Sequence, residues 1–349
     1  MRVAVLDDYH RIAVGLADWD SLAVDEVAFF DAPIPRDRLA SGLQDFDALV
    51  LMRERTAFPR ELLERLPKLR LLVTTGMRNA AVDSAYLASE RPEVTYCGTG
   101  MIGYGGAWSP AGAAPAAGGR GDGLGSAGGA DGLNSTVEVA WALILALVKR
   151  ITTEDRAIRE GVWQQGLPTR LAGRTLGLLG LGRLGGEMVA VARAFGMGVV
   201  AWSENLTPAR AQAFGPGVVR CAGSLRELLE VADIVSIHLV LSGRTRGLIG
   251  AGELAAMKPS ALLVNTSRGP IVEQAALVAA LRQGVIAGAG LDVYDEEPVA
   301  PADALLELEN TVLTPHLGYV SYESFQVMYA QAVEDIAAYL SGSPIRVIG

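Results

Sequence analysis

Three histidines are all that this 349-residue chain offers as acid–base groups working near neutral pH: His10, His238 and His316. His316 stands in "LTPHLG", where a short apolar run ends and Pro315 and Gly318 turn the chain into a loop. His238 lies inside "VSIHLVL", the setting of a packed strand residue, and His10 in a polar N-terminal loop. Two other apolar runs also end in charge: "LLVNTSRGP" in Arg268, and "GLDVYDEEP" in Asp292, Asp295, Glu296 and Glu297. Histidine, carboxylate and arginine at the carboxyl ends of successive strands of one parallel sheet converge on one crevice. There an imidazole can donate or take a proton, and an arginine fork can bind an anionic group.

Three stretches fit Gly-x-Gly-x-x-Gly: "GTGMIG" from Gly98, "GLGSAG" from Gly123 and "GLGRLG" from Gly180. A dinucleotide loop leads from a strand into a helix whose N-terminal amides face the pyrophosphate, so context separates the three. "GLGSAG" is framed by "AAGGRGD" and "GADGL", neither strand nor helix, and "GTGMIG" runs on into "YGGAWSP". Only "GLGRLG" has a strand before it ("RTLGLL"), a helix after it ("GEMVAVARAFG") and a second strand beyond ("GVVAWS"). Gly180, Gly182, Arg183, Leu184 and Gly185 are therefore the expected cofactor loop. About twenty residues on, where an acidic residue would meet the ribose hydroxyls, stands Ser203 with Glu204 beside it. Glu204 would repel a 2′-phosphate, so NAD is the expected cofactor, and Ser203 leaves NADP open.

The elements that must hold these residues form two α/β blocks. "RVAVLD", "DALVLM", "LRLLVTTG" and "VTYCGTG" read as buried strands of a first parallel sheet. "RTLGLLG", "GVVAWS", "ADIVSIHL", "ALLVNTS", "IAGAGLDV" and "TVLTPHL" read as strands of a second, with helices at Gly185–Phe195, Leu225–Val231 and Gln274–Arg282 between them. A buried helix from Ser135 to Arg150 joins the blocks, and its Ser135 and Glu138 are spaced as a capping box. The amphipathic helix after His316 is expected to return to the first block. The expected domains are 1–102 with 317–349, and 134–316, with a Gly/Ala-rich insertion at 103–133 whose composition is that of a mobile loop. Trp108 and the position of that insertion raise the alternative of a lid or dimer contact.

Half the residues are hydrophobic and a fifth charged, enough apolar material for two cores. A net charge of −9 argues against nucleic acid or an anionic membrane as partner. Cys97 and Cys221 are too far apart for a metal motif, so no metal site is expected. The N-terminus lacks a signal-peptide core, and the longest apolar helix is too short to span a bilayer, which makes a cytoplasmic location the expectation.

The ordered set "GLGRLG", "NTSRGPIV", "GLDVYDEEP" and "TPHLG" resembles the D-isomer-specific 2-hydroxyacid dehydrogenases, a family that includes D-3-phosphoglycerate dehydrogenases and glyoxylate/hydroxypyruvate reductases. The resemblance implies two Rossmann-like, doubly wound domains: a flavodoxin-like substrate domain and an NAD-binding domain. It also implies a homodimer and catalysis in the cleft between domains. It makes Arg268, Glu297 and His316 the catalytic residues. Asp292 would contact the nicotinamide, Thr266 and Ser267 would line its pocket, and Leu239 and Gly318 would stand beside the cofactor. "TTGMRNA" would hold the substrate carboxylate through Gly76, Met77, Arg78 and Asn79, and Arg53 in "MRERT" would stand on the substrate side. The substrate implied is a small 2-hydroxy or 2-oxo acid. Its reduction needs a proton at the carbonyl oxygen, which protonated His316 can supply while Glu297 orients the ring, and a cation near the developing oxyanion, which Arg268 supplies. A dehydrogenase-like NAD-sensing regulatory protein is the alternative, although such a protein would be free to lose the Arg268, Glu297, His316 set. Formate dehydrogenases pair the histidine with glutamine, where this chain has Glu297.

Overall fold

Strands that read as continuous apolar runs, without alternation, must be covered on both faces, and the computed structural model shows why. It describes residues 1–100 and 134–348; the insertion expected at 103–133, with "GLGSAG" and Trp108, lies outside the described residues. The chain divides into two units, one of residues 1–100 with 321–348 and the other of residues 134–320, so the second runs on past His316 to Val320.

In the first unit β1 (Arg2–Val5), β2 (Glu26–Phe29), β3 (Ala48–Leu51), β4 (Leu71–Thr74) and β5 (Thr95–Gly98) pair in parallel in the order β2-β1-β3-β4-β5. This is the flavodoxin-like order. β3 and β4 are buried at every residue. β2 escaped the reading of the sequence because it is an edge strand, four residues long and nowhere fully buried. The helix Tyr322–Leu340 packs in this unit: Phe325 stacks on Tyr329, and Tyr329 meets Trp19 edge-on. Beyond it the chain returns beside β5, where the Gly98 amide donates to the Arg346 carbonyl (3.0 Å) and the Ile348 amide to Tyr96 (2.7 Å). Asp335 is wholly buried against the Arg346 guanidinium (2.9 Å), and burial still pushes its carboxyl up to about 7.

In the second unit β6 (Thr175–Leu179), β7 (Gly198–Trp202), β8 (Val219–Cys221), β9 (Ile234–Ile237), β10 (Leu262–Asn265), β11 (Gly288–Leu291) and β12 (Thr311–Leu313) form one parallel sheet. Its order, β12-β11-β10-β9-β6-β7-β8, reverses direction beside β6, the switch point at which doubly wound sheets open their ligand crevice. β8, a three-residue edge strand, was also not anticipated. Two apolar layers cover the sheet. One holds Leu228, Leu254 and Leu277 from the helices Leu225–Val231, Ala251–Ala256 and Gln274–Arg282. The other holds Val137, Ile144 and Met188 from the helices Ser135–Lys149 and Arg183–Ala194.

The cap expected at Ser135 is supplied instead by Asn134. Asn134 is the extended residue before the helix, and its side chain accepts from the Thr136 amide (2.9 Å), while Ser135 is already helical. Among the described residues no helix is long and apolar enough to cross a membrane, and no group of histidine, cysteine and carboxylate side chains could hold a metal ion.

Candidate active site

The glycine loop leaves β6 and enters the helix Arg183–Ala194 through three glycines with three different tasks. Gly180 has φ +100°, and a Cβ there would stand 2.5 Å from the His238 carbonyl oxygen. Gly185 has its back against the Gly180 carbonyl, so a side chain there would collide with it. Gly182 is the N-cap; it carries no capping side chain, and nothing lies within 4 Å of where its Cβ would be. No capping side chain therefore competes at this helix N-terminus, whose amides are the kind of donors a pyrophosphate takes. Arg183 and Leu184 open the helix and are half-buried. Leu239 reaches the back of the loop, with its Cδ2 3.2 Å from the same virtual Cβ at Gly180.

Ser203 follows β7 directly, and its neighbour Glu204 is paired with Arg244 (2.8 Å) from the loop after β9. His238 is, as read from the sequence, a packed residue. Its Nε2 meets the Ser236 hydroxyl at 2.9 Å, its Nδ1 is shut off from solvent without a partner, and burial lowers its pKa to about 4.

Farther along the carboxyl edge of the sheet, the loops after β10, β11 and β12 are tied to one another. After β10, the Asn265 side chain holds its own loop in a local turn: Oδ1 accepts from the Ser267 amide (3.0 Å) and Nδ2 donates to the Arg268 carbonyl (2.9 Å). The Ser267 hydroxyl donates to the Ile237 carbonyl (2.7 Å), and Thr266 keeps a buried hydroxyl without a partner, an orphan polar atom of the kind a cofactor amide can satisfy. Arg268 is half-buried and donates to the Ser267 carbonyl (2.8 Å). Gly269 lets this loop press on the next, because a Cβ there would collide with the Tyr294 backbone.

After β11, Glu297 accepts from the Tyr294 amide through Oε1 (3.0 Å) and meets His316 Nδ1 through Oε2 at 2.6 Å. His316 itself is held with φ +55° by Asp292. The Asp292 carboxylate, fully buried, accepts from the Thr314 hydroxyl (2.5 Å) and from the amides of Leu317 (2.7 Å) and Gly318 (2.8 Å). Burial raises the Asp292 carboxyl above the ordinary carboxylate range, against the pull of those donors and of His316. Asp292, expected from the resemblance as a nicotinamide contact, clamps the loop that carries His316. From the other side the Thr136 hydroxyl donates to the Gly318 carbonyl (2.7 Å).

The expected substrate residues lie at the carboxyl edge of the first unit's sheet. Arg53, at φ +52° after β3, donates its amide to the Thr75 hydroxyl (2.8 Å) and its Nη1 to the Thr75 carbonyl (3.1 Å). Asn79 donates to the Arg53 carbonyl (2.7 Å) and the Thr74 hydroxyl (2.9 Å), which makes it a brace of that loop. The Gly76 amide, expected to face a carboxylate, is spent on the Thr99 hydroxyl (3.1 Å). Among the described residues the amides of Met77 and Arg78 have no partner, and both side chains are exposed.

The reading of the sequence missed Asn265, Tyr294 and Arg244. Asn265 was open to detection, since asparagine before Thr-Ser at a strand end signals a local side-chain turn. Tyr294 acts through its backbone and Arg244 through a partner forty residues away, and neither leaves a local pattern.

Residues 141–318 match the family described as D-isomer specific 2-hydroxyacid dehydrogenase, NAD binding domain. The chain is 40% identical over 214 residues to a glyoxylate reductase of Korarchaeum cryptofilum, covering 60% of this chain and 63% of that protein. To a D-3-phosphoglycerate dehydrogenase of Mycobacterium bovis it is 33% identical over 319 residues, covering 91% of this chain and 53% of that one. The chain thus spans under two thirds of the length of these curated relatives. A crystal structure of phosphoglycerate oxidoreductase from Vibrio cholerae superposes with a TM-score of 0.83 at 32% identity, covering 98% of this chain and all of that one. A family match over about half the residues and a fold shared along nearly all of them lead to one conclusion: the chain belongs to the D-isomer specific 2-hydroxyacid dehydrogenases, and residues 141–318 are its NAD-binding domain.

Proposed function

We propose that this protein is an NAD-dependent dehydrogenase that interconverts a small 2-oxo acid and the corresponding D-2-hydroxy acid. The observation that carries the reading is the 2.6 Å contact of His316 Nδ1 with Glu297, itself fixed by the Tyr294 amide. A carboxylate at Nδ1 only accepts, so Nδ1 keeps its hydrogen and Nε2 becomes the nitrogen that exchanges a proton with substrate. In the reductive direction Nε2 of protonated His316 gives its proton to the carbonyl oxygen; in the oxidative direction the neutral ring takes it from the hydroxyl. Arg268 stabilises the oxyanion as it develops and binds the adjoining carboxylate through its planar fork.

On the first unit, the partnerless amides of Met77 and Arg78 are the donors proposed for a substrate carboxylate, with Arg53 and Asn79 bracing their loop. Gly180–Gly185, Ser203, Leu239, Thr266 and Ser267 would hold the dinucleotide, which when bound would supply or accept the hydride. Glyoxylate and 3-phosphoglycerate, the latter with its 2-oxo counterpart, are the substrate candidates that the names of the curated relatives favour, and the family resemblance adds hydroxypyruvate. A homodimer is part of the same proposal. Ile158, Val162, Trp163 and Leu167, within ten residues of one another in the second unit, are all exposed, Trp163 at 75% and Leu167 at 93%, and this segment is the proposed contact, since exposed apolar surface marks interaction sites where it is contiguous.

NADH oxidation measured across a panel of 2-oxo acids, for the native chain and His316→Gln, tests the reading. Turnover of at least one acid is expected, reduced by about 10²–10⁴ in His316→Gln with NADH affinity kept. Binding of NADH without turnover of any 2-oxo acid would favour the sensor alternative, and a fully active His316→Gln enzyme would remove the assignment of the acid–base group.

A further inference from the structure

We infer that Glu204 and Arg244 together decide which dinucleotide this chain accepts: Glu204 takes the adenosine ribose hydroxyls of NAD(H), and Arg244, released from Glu204, takes the 2′-phosphate of NADP(H). The inference rests on the assignment of the second unit as a dinucleotide-binding domain and deepens it.

In the sheet β6 lies between β7 and β9, and the glycine loop leaves β6. Ser203 and Glu204 leave β7, while Arg244 comes from the loop that leaves β9. The pair Arg244 Nη1 to Glu204 Oε2, 2.8 Å, therefore joins the two strands that flank the glycine loop. The loop that presents Arg244 is fixed by its own hydrogen bonds: the Ser242 amide donates to the Thr245 hydroxyl (2.8 Å), which in turn donates to the Val240 carbonyl (2.7 Å). Arg244 is thus delivered to this edge by the backbone, whichever anion its guanidinium meets.

Both side chains are about two-thirds exposed, so solvent screens their attraction and a competing anion can exchange for one of them. A ribose diol donates two hydroxyls that one carboxylate can accept, so NAD(H) makes use of Glu204. A 2′-phosphate has no such hydrogens and brings about two negative charges beside the carboxylate. That repulsion is the selective element, and Arg244 is the cation already in reach that an uncharged residue at 204 would free for the phosphate. Ser203, at the strand end where an acid is usual, leaves room and a hydroxyl for the phosphate. Arg210, whose Nε lies 3.5 Å from the Leu181 carbonyl, adds a second guanidinium on this side of the loop.

Fluorescence titration of NADH and NADPH in the absence of any 2-oxo acid, on the native chain, Glu204→Gln, Arg244→Ala and the double variant, tests this. The native chain is expected to bind NADH more tightly. Glu204→Gln should strengthen NADPH binding by about tenfold or more, about 1.4 kcal/mol, while weakening NADH, and adding Arg244→Ala should remove that gain. The inference is overturned if Glu204→Gln leaves NADPH affinity unmoved, or if the gain survives loss of Arg244. A native chain that binds no NADH overturns the domain assignment and this inference with it. A chain that binds NADH but reduces no 2-oxo acid contradicts the dehydrogenase reading alone, and the four titrations still decide this one.

Discussion

Asparagine in place of Asp292 keeps the size of the side chain and removes an acceptor from a position that faces three donors. In the native chain Oδ1 accepts from the Thr314 hydroxyl and the Leu317 amide, and Oδ2 from the Gly318 amide, at 2.5, 2.7 and 2.8 Å. Asparagine offers one oxygen and an NH₂ group that only donates. With its oxygen in the Oδ1 position, the NH₂ group points at the Gly318 N–H. Flipped, it points at the Leu317 N–H while the Thr314 hydroxyl turns round to accept. Either way one backbone N–H of the His316 loop loses its acceptor, which costs about 1–3 kcal/mol.

Relief of a buried charge offsets part of that loss, since burial already raises the Asp292 carboxyl. A net destabilisation below about 2 kcal/mol is therefore expected. The effect on rate should be larger. A shift on the order of 1 Å at a reacting group can cost about 10²-fold, or about 2.7 kcal/mol of barrier. Asp292→Asn is thus expected to unfold near the native denaturant midpoint, and to lose about 10²-fold in kcat/KM for the best 2-oxo acid. Steady-state kinetics beside denaturant unfolding measures both. Thr314→Val, which removes one donor and leaves both amides clamped, should lose far less. Native kcat/KM in Asp292→Asn would show that His316 does not depend on this clamp.

Other outcomes follow from buried and exposed groups outside the site. Asp335, raised to about 7 in the fold against about 3.9 unfolded, binds a proton between those values only when folded, so stability falls as pH rises from about 4 to 7. Asp335→Asn, which leaves Arg346 paired with Glu334 (2.9 Å), should flatten that limb of the stability profile in denaturant melts; an unchanged slope would refute it. His238 acts in the opposite sense: lowered to about 4 from an unfolded value near 6.5, it costs stability as pH falls through that window. His238→Asn should reduce the acid sensitivity of the second unit, and a native acid limb in that variant would count against the buried neutral ring. Trp163→Glu with Leu167→Glu should convert the proposed dimer to monomer in light scattering, and a dimer that persists would place the contact elsewhere.

Much of the nucleotide-binding unit was legible because its signals are local. A βα turn, a strand, and a strand ending in arginine or histidine each occupy fewer than about ten residues, and buried parallel strands announce themselves as apolar runs. β2 and β8 were hidden for the same reason in reverse: edge strands of three or four residues with exposed positions have neither the length nor the pattern. The cap at Asn134 was misread because Ser135 and Glu138 fit a capping box by spacing alone, while the residue before them has the extended backbone and the accepting oxygen. The clamping role of Asp292 was not legible because its three donors lie more than twenty residues away. A sequence shows that a carboxylate ends a strand; it does not show which side of the strand end the oxygens face.

The acid–base pair of the proposed chemistry is complete within one unit, because Glu297, His316 and the clamp at Asp292 all belong to residues 134–320. Its geometry is set by loops locked to one another: Asn265 shapes the Arg268 loop, Gly269 presses that loop on Tyr294, Tyr294 fixes Glu297, and Glu297 fixes His316. The proposed carboxylate amides at Met77 and Arg78 belong to the other unit, on a loop braced by Asn79 and Arg53. Substitutions in the first loop should therefore act mainly on KM and on the choice of 2-oxo acid, because they leave the proton-transfer group in place. Substitutions along the Asn265 to His316 chain should act mainly on kcat, since they move a group whose contribution is made in the transition state.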